Sequence, residues 1–383
     1  MSITSARAIV TRGAHKDGKW NMEDISLRPI GDDELLVRMV ASGICHTDVV
    51  FGDRAENIGG YPRIMGHEAG SGYVEKIGKK VKVAQIGDAV LLSFAYCSAC
   101  QICTSGHPSH CVKAMELCFV GKKTCSPPSS SAPSAATADI SASFFGQSSF
   151  ASLSIVNESS VVNAKDLIES PEELELFAPL GCGIQTGSGA IYNVANCSPT
   201  DSVAIMGVGG VGLSGIMGAK IGGAKTIIAI DRVPARLELA KEIGATHTIN
   251  SDGMDMPALI QAVRDLTDGY GSSITMDATG VPKLIAAGVE FTRRRGQYLQ
   301  IGSAPMDAKL EIELFNFMAS GKRFIGAVEG DIIPAEYIPK MIGWYREGKF
   351  PIDKLMKMFK ADNFMGAIHE MHTGETIKPI IVW

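Results

Sequence analysis

The sequence predicts an α/β protein in which a doubly wound parallel sheet is inserted into a β-rich domain made from the two ends of the chain. Three observations predict it. Up to about residue 170 the text is short β-like runs broken by glycine. From about 184 to 328 apolar strands alternate with helical stretches. The first strand of that stretch runs straight into the glycine turn Gly207-Val208-Gly209-Gly210-Val211-Gly212.

Taken in order, ARAIVTR, ELLVRMV and DAVLLSF read as strands, and no long amphipathic helix interrupts them. Residues 126–143, SPPSSSAPSAATADISAS, hold too few large apolar side chains to pack and too much Ser and Pro to continue a strand. A mobile surface excursion is expected there. The later rhythm is SVAIM, a glycine-rich helix, TIIAID, a helix through RLELAKEIG, THTIN, another helix, SITMDATG and GQYLQIGS. Strands alternating with helices mean a parallel sheet covered on both faces. After about 328 come a helix through AEYIPKMIGWYREG and an apolar last segment, IKPIIVW, suited to rejoin the first half as a strand. The expected division is 1–183 with 329–383 for the β-rich domain and 184–328 for the parallel sheet.

Composition narrows the function classes. A chain of 383 residues exceeds what one core usually supports. With 45% hydrophobic residues it has apolar content enough to rule out disorder. A net charge of -5 leaves no basic footprint for nucleic acid and no polybasic anchor for a membrane, so small molecules are the expected partners. The opening MSITSARAIVTRGAHKDGKW has no apolar run of leader length, and the stretch 201–223 is broken by glycines, which leads to the expectation of a soluble cytoplasmic protein. Nine cysteines in a large chain of this kind, four of them clustered, point to reduced thiolates on metal rather than disulfides.

Three motifs carry chemistry. Cys97, Cys100, Cys103 and Cys111 are spaced C-x2-C-x2-C-x7-C, which suits four thiolates closed around a structural Zn²⁺; an iron–sulfur cluster or four unrelated buried cysteines are the less favoured readings. Cys45 in GICHTD, His67 in GHE and Cys182 in APLGCGIQTG supply the two sulfurs and one imidazole of a catalytic zinc with an open fourth position. Each of these three is weak alone, since a cysteine beside glycines is more often a small buried residue. The glycine turn lies between a strand and a helix, with Asp231 ending the next strand. Glycines there admit a pyrophosphate to the helix N-terminus, and a carboxylate at 231 bonds ribose hydroxyls and repels a 2′-phosphate. NAD is therefore expected over NADP, with Arg232 the residue that keeps NADP in consideration.

With these sets in place the chain resembles the zinc-containing alcohol dehydrogenases of the medium-chain dehydrogenase/reductase superfamily, nearly end to end. FFGQSSFA at 144–151, PLGCGIQTG at 179–187 and VEGD followed by YIPKMIGWYREGKFPIDKL resemble the aryl (benzyl) alcohol dehydrogenases among them. The resemblance implies a GroES-like catalytic domain around an inserted Rossmann domain, with the active site in the cleft between. It also implies two zinc ions per chain, a primary alcohol or aldehyde substrate and a homo-oligomer, dimer or tetramer. The same likeness is compatible with a polyol, glutathione-adduct or biosynthetic-pathway dehydrogenase. A non-catalytic dinucleotide-binding protein is the rival from another class.

By position, Thr47 resembles the hydroxyl that starts a proton relay, Asp48 the carboxylate that orients the zinc histidine, and Glu68 an acid that approaches the metal during ligand exchange. His46 and Lys378 match cations that contact the pyrophosphate, and Arg236 one near the adenosine ribose. Thr186 and Val211 match the pair behind the nicotinamide. Plainer readings stand beside these: a turn or helix cap for Thr47 and Asp48, a salt-bridged glutamate, and solvated surface cations. Ser93 and Phe94 precede the four-cysteine loop where relatives place a pocket-lining aromatic, and a buried strand residue is the equal alternative. Two departures stand out. Val50 occupies the position where many relatives end the relay with a histidine, and Ser71 stands where glycine is usual after GHE.

Overall fold

The computed structural model describes residues 4–128 and 138–383. It divides into two compact units. One holds the described residues up to Cys182 together with Ile333–Gly343 and Asp353–Trp383; the other holds Gly183–Ile332 and Trp344–Ile352. The sequence boundaries differ at the second crossing, because Trp344 packs its ring on Tyr192 at 4.9 Å and on Phe350 at 6.0 Å, which ties Trp344–Ile352 to the second unit.

In chain order the first unit begins with β1 (Thr4–Thr11), β2 (Trp20–Leu27), β3 (Glu34–Gly43), β4 (Arg63–Ile64), β5 (Glu68–Ile77) and β6 (Ala89–Leu92). It continues with β7 (Lys123–Ser126), β8 (Ile140–Ser141), β9 (Leu153–Asn157) and β10 (Val161–Asn163). The second unit holds β11 (Ser202–Met206), β12 (Thr226–Asp231), β13 (His247–Asn250), β14 (Ser272–Asp277), β15 (Thr292–Gln300) and β16 (Arg323–Gly326). The chain then returns to the first unit for β17 (Met356–Lys360) and β18 (Lys378–Val382).

In the first unit β1-β2-β7-β8-β4 close into a barrel, and β10-β6-β5-β3-β18-β17 form a sheet to which β9 adds by pairing with β3. The expected return of the last segment is observed: Ile380, Ile381 and Val382 pair antiparallel with Gly43, Ser42 and Ala41. Leu35, Val37, Met39, Val74, Val90, Leu92 and Val156 build the core against which these strands pack. The pairing of β3 with β5 in this sheet matters for the site, since it holds together the strand ends that lead into Cys45 and out of His67.

The Ser/Pro-rich segment departs from expectation at its ends. Ser126 finishes β7 and Ile140–Ser141 form β8, both within the barrel, and Ala138 and Phe144 are buried. Ile140 supplies the apolar anchor that Ser and Pro content concealed. The middle of that segment, 129–137, lies outside the described residues.

In the second unit the order β13-β12-β11-β14-β15-β16 is parallel throughout. Every residue of β14 is buried, as expected of a strand covered on both faces. Helices Gly210–Ile221, Pro234–Ile243, Met256–Asp265 and Pro282–Phe291 provide the crossovers that parallel neighbours require. The strand order reverses between β11 and β14, and in such sheets the crevice at the carboxyl ends of those strands is where ligands bind. No helix among the described residues is long and apolar enough to cross a membrane.

Candidate metal centres and dinucleotide turn

Among the described residues, the only group of three or more His, Cys, Asp or Glu whose donor atoms all lie within 4.8 Å of one another is Cys97, Cys100, Cys103 and Cys111. Four thiolates at about 2.3 Å from a tetrahedral zinc are about 3.8 Å apart. The Sγ atoms of Cys97 and Cys103 are 3.9 Å apart and those of Cys100 and Cys103 3.4 Å. Backbone amides aim at the sulfurs: Cys100 N donates to Cys97 Sγ at 3.3 Å, Cys103 N to Cys100 Sγ at 3.5 Å and Lys113 N to Cys111 Sγ at 3.4 Å. Such donors favour thiolate, and the Cys103 amide foremost draws the Cys100 thiol below its ordinary range. Burial and the neighbouring sulfurs push the Cys103 thiol up to about 12, so the loop fits a structural zinc by its spacing and its amide donors.

Cys45, His67 and Cys182 are linked through Asp48 and the imidazole instead. Cys45 caps the helix His46–Asp53, and His67 precedes β5. Asp48, fully buried, ties the two: its Oδ1 accepts from His67 Nδ1 at 2.8 Å, His67 N at 3.2 Å and Gly66 N at 2.9 Å, while Oδ2 accepts from Cys45 N at 3.1 Å. With Nδ1 engaged there, the imidazole also hydrogen-bonds Cys182. Burial opposes the imidazolium, but the charges of Asp48 and Cys182 outweigh it and hold the proton on His67 well above the ordinary histidine range. These three donors do not all close to within 4.8 Å of one another. Their chemistry, two sulfurs and an imidazole whose far nitrogen rests on a carboxylate, fits a zinc ligand set.

Glu68 and Lys378 form a buried pair, Nζ to Oε2 2.5 Å. Burial pulls the Lys378 ammonium down, yet the Glu68 charge, helped by the nearby Cys45 and Cys182 thiols, keeps it above its ordinary range. The structure thus places Lys378 against Glu68, with 5% of its surface exposed. Thr47 is half-buried and His46 exposed on the first turn of the same helix, and Val50 is 53% exposed. Ser71 sits in β5 opposite Ala41 and Leu91 and is ordinary strand. Close approach is needed instead at Gly72, where a Cβ would lie 2.2 Å from the Arg38 carbonyl. Phe94 is buried on Tyr96 at 5.9 Å, and Ser93 Oγ donates to the Gly181 carbonyl at 2.8 Å, next to Cys182.

Several functional neighbours carried no local signal. The Gln147 amide bridges the loops of two candidate ligands, accepting from Gly70 N at 3.1 Å and donating to His67 O at 3.3 Å and Ser93 O at 2.9 Å. Phe145 and Phe144 stand 4.6 and 5.4 Å from the His67 ring. His46 lies 5.6 Å from His372, which lies 5.4 Å from His15, itself bonded to Asp53 at 2.8 Å. Burial, then repulsion from His15, lowers the His372 pKa. Only the phrase FFGQSSF hinted at any of these.

In the second unit β11 ends at Met206, and Gly207 turns the chain with φ +82°. The helix Gly210–Ile221 starts at once, capped by Gly209. A Cβ at Gly212 would lie 1.9 Å from the Gly207 carbonyl, whereas a Cβ at Gly209 would meet nothing within 4 Å. The turn is tight inside and open outside, the form a pyrophosphate needs. Asp231 Oδ2 accepts from Val208 N at 2.8 Å and Oδ1 from Val233 N at 2.9 Å, so the same carboxylate that ends β12 braces the turn. Arg236 approaches it at 4.0 Å, and Arg232 is exposed. Thr186 is buried and Val211 half-buried.

Residues 31–166 match the family model described as alcohol dehydrogenase GroES-like domain, and residues 210–347 that described as zinc-binding dehydrogenase. The chain is 36% identical to geraniol dehydrogenase of Castellaniella defragrans, with 99% of this chain and 98% of that protein covered. The chain belongs to the zinc-dependent alcohol dehydrogenases of the medium-chain family. It is also 31% identical to S-(hydroxymethyl)glutathione dehydrogenase of Komagataella pastoris, again over 99% and 98% of the two chains. The crystal structure of benzyl alcohol dehydrogenase from Acinetobacter calcoaceticus matches with a TM-score of 0.89 and 35% identity, covering 99% of each chain. An oxidoreductase with a GroES-like and a Rossmann domain is thereby established.

Proposed function

We propose that the chain interconverts primary alcohols of aromatic or conjugated skeleton and their aldehydes, with NAD as hydride carrier and two zinc ions per chain. His67 carries the reading: its far nitrogen is fixed on buried Asp48, its ring meets Cys182, and Phe144 and Phe145 pack against it edge-on and tilted. Cys45, His67 and Cys182 would hold the catalytic ion and the four-cysteine loop the structural one. When bound, zinc acts as a Lewis acid that lowers a hydroxyl pKa and polarises a carbonyl. Asp48 orients the imidazole, and Thr47 takes up the alcohol proton as general-base partner. Val50 offers no proton acceptor, so a proton taken up at Thr47 would need an exit other than the side chain at position 50. Glu68, held by Lys378, stands ready beside the ligands.

The glycine turn Gly207, Gly209, Gly210 and Gly212 would cradle the pyrophosphate, while Asp231 and Arg236 would hold the adenosine ribose and Thr186 and Val211 would back the nicotinamide. Asp231 favours NAD over NADP. Family likeness supports a cytoplasmic homo-oligomer. The names of the relatives differ, geraniol, benzyl alcohol and a glutathione adduct, and the phenylalanines about His67 favour the first two. Nicotinamide reduction across benzylic, allylic, aliphatic, polyol and glutathione-adduct alcohols, with NAD and with NADP, tests this. Benzylic and allylic alcohols with NAD are expected to lead, and a polyol or glutathione adduct in first place overturns the assignment.

A further inference from the structure

Arg63 is fully buried in β4, yet no carboxylate among the described residues pairs with it. Its Nη1 donates to the Ile58 carbonyl at 2.5 Å, and its Nη2 to those of Phe119 at 2.8 Å and Val120 at 3.1 Å. Its Nε has no hydrogen-bond partner among the described residues. The guanidinium carbon lies 5.9 Å from the centre of the Phe144 ring. Burying a cation without a counter-charge is costly, and an apolar side chain of similar volume would fill the space with less penalty. Stability alone does not account for an arginine here.

What the guanidinium does is join two distant stretches. Ile58 ends the short helical turn Ala55–Ile58, whereas Phe119 and Val120 close the π-helical turn Met115–Val120, a backbone form often found at functional sites. A planar fork of donors reaches three carbonyls at once, which a single ammonium cannot match in geometry. From the clamped backbone the Phe119 ring reaches Phe51 at 5.0 Å, Phe145 at 5.2 Å and Phe144 at 6.0 Å. Phe144 and Phe145 in turn touch His67. One continuous aromatic surface therefore runs from the imidazole to the half-buried Phe119.

We propose that Arg63 is a positioning residue: it clamps the Phe119–Val120 backbone, so that Phe119 completes an aromatic wall that selects alcohols bearing an aromatic ring. This rests on the alcohol-oxidising function proposed above. A single aromatic pair is worth up to about tenfold in affinity, so withdrawing the Phe119 ring from an aromatic substrate weakens its binding by up to about tenfold.

The test compares wild type, Arg63→Met, Arg63→Lys and Phe119→Leu, zinc-loaded and with NAD, on benzyl alcohol and ethanol. Arg63→Met and Phe119→Leu are expected to raise the KM for benzyl alcohol about tenfold while kcat and the ethanol kcat/KM stay within about twofold. Arg63→Lys is expected to restore part of the benzyl alcohol KM. Tryptic cleavage after Lys122 should also quicken in Arg63→Met relative to wild type. If Arg63→Met fails to fold, Phe119→Leu decides the wall and Arg63→Lys cleavage decides the clamp. Equal losses on both alcohols, or an unchanged ratio in Phe119→Leu, overturn the proposal. A wild type that oxidises neither alcohol refutes the function instead, and the cleavage rates then judge the clamp by themselves.

Discussion

Replacing Asp48 by asparagine removes one charge and changes nothing in size. Oδ1 of Asp48 accepts three hydrogen bonds and Oδ2 a fourth, from Gly66 N, His67 N, His67 Nδ1 and Cys45 N, in a fully buried position. An amide offers one acceptor oxygen, so its NH₂ must face either the Cys45 amide or the His67 cluster, donor against donor. Losing charge-assisted bonds costs about 1.5–3 kcal/mol each, and part returns as weaker neutral bonds. Loss of a carboxylate behind a zinc histidine typically lowers metal affinity by about 10–100-fold. Chelator competition should therefore remove one zinc per chain from Asp48→Asn at a concentration that leaves wild type loaded, with the four-cysteine zinc retained in both. Alcohol oxidation should fall with that zinc and NADH binding should persist. Equal affinity of both zincs in wild type and variant would refute the role assigned to Asp48.

Further outcomes follow from other sites. Gly212→Ala places a methyl against the Gly207 carbonyl, 1.9 Å from the ideal Cβ, so NADH affinity should drop by about tenfold or more in a fluorescence titration while zinc content holds. Cys100→Ala opens the structural loop and should lower the melting temperature by several degrees and remove one zinc per chain. Burial disfavours the Glu34 carboxylate, but Arg28, bonded to it at 2.7 and 2.9 Å, and the Gly31 amide prevail and bring its pKa to about 2. Because the folded value lies below the unfolded one, the pair contributes up to about 3 kcal/mol above about pH 4.5, lost as pH falls toward 2. The melting difference between wild type and Glu34→Gln should therefore narrow from about pH 5 to about pH 3, and a constant difference would contradict this.

The parts legible in the sequence are those written in consecutive residues. The glycine turn, its flanking strand and Asp231 span one βαβ unit, and the four cysteines span a single loop, so spacing alone conveys their geometry. Cys45, His67 and Cys182 are each weak alone and gain weight only as a set beside the four-cysteine loop, since they are scattered along the chain at the ends of β3 and β5 and in the loop before Gly183. Gln147, Arg63 and the pairing of His46 with His372 stayed hidden for the same reason: each acts across a large sequence separation, through backbone carbonyls or ring contacts that leave no spacing pattern. Lys378 shows the converse. Its position in the family suggested the pyrophosphate, whereas the structure buries its ammonium on Glu68, a partner set by the pairing of β18 with β3 beside β5. At 126–143 composition overlooked Ile140, whose burial turns the end of the segment into a barrel strand.

The central claim, that Cys45, His67 and Cys182 hold the zinc at which alcohols react, is tested most directly by His67→Ala measured for zinc, NADH binding and benzyl alcohol oxidation in one preparation. The account predicts two zincs per chain in wild type and one in the variant, with NADH still bound and oxidation abolished. A variant that loses that zinc, or keeps both, and still oxidises benzyl alcohol at the wild-type rate would contradict it.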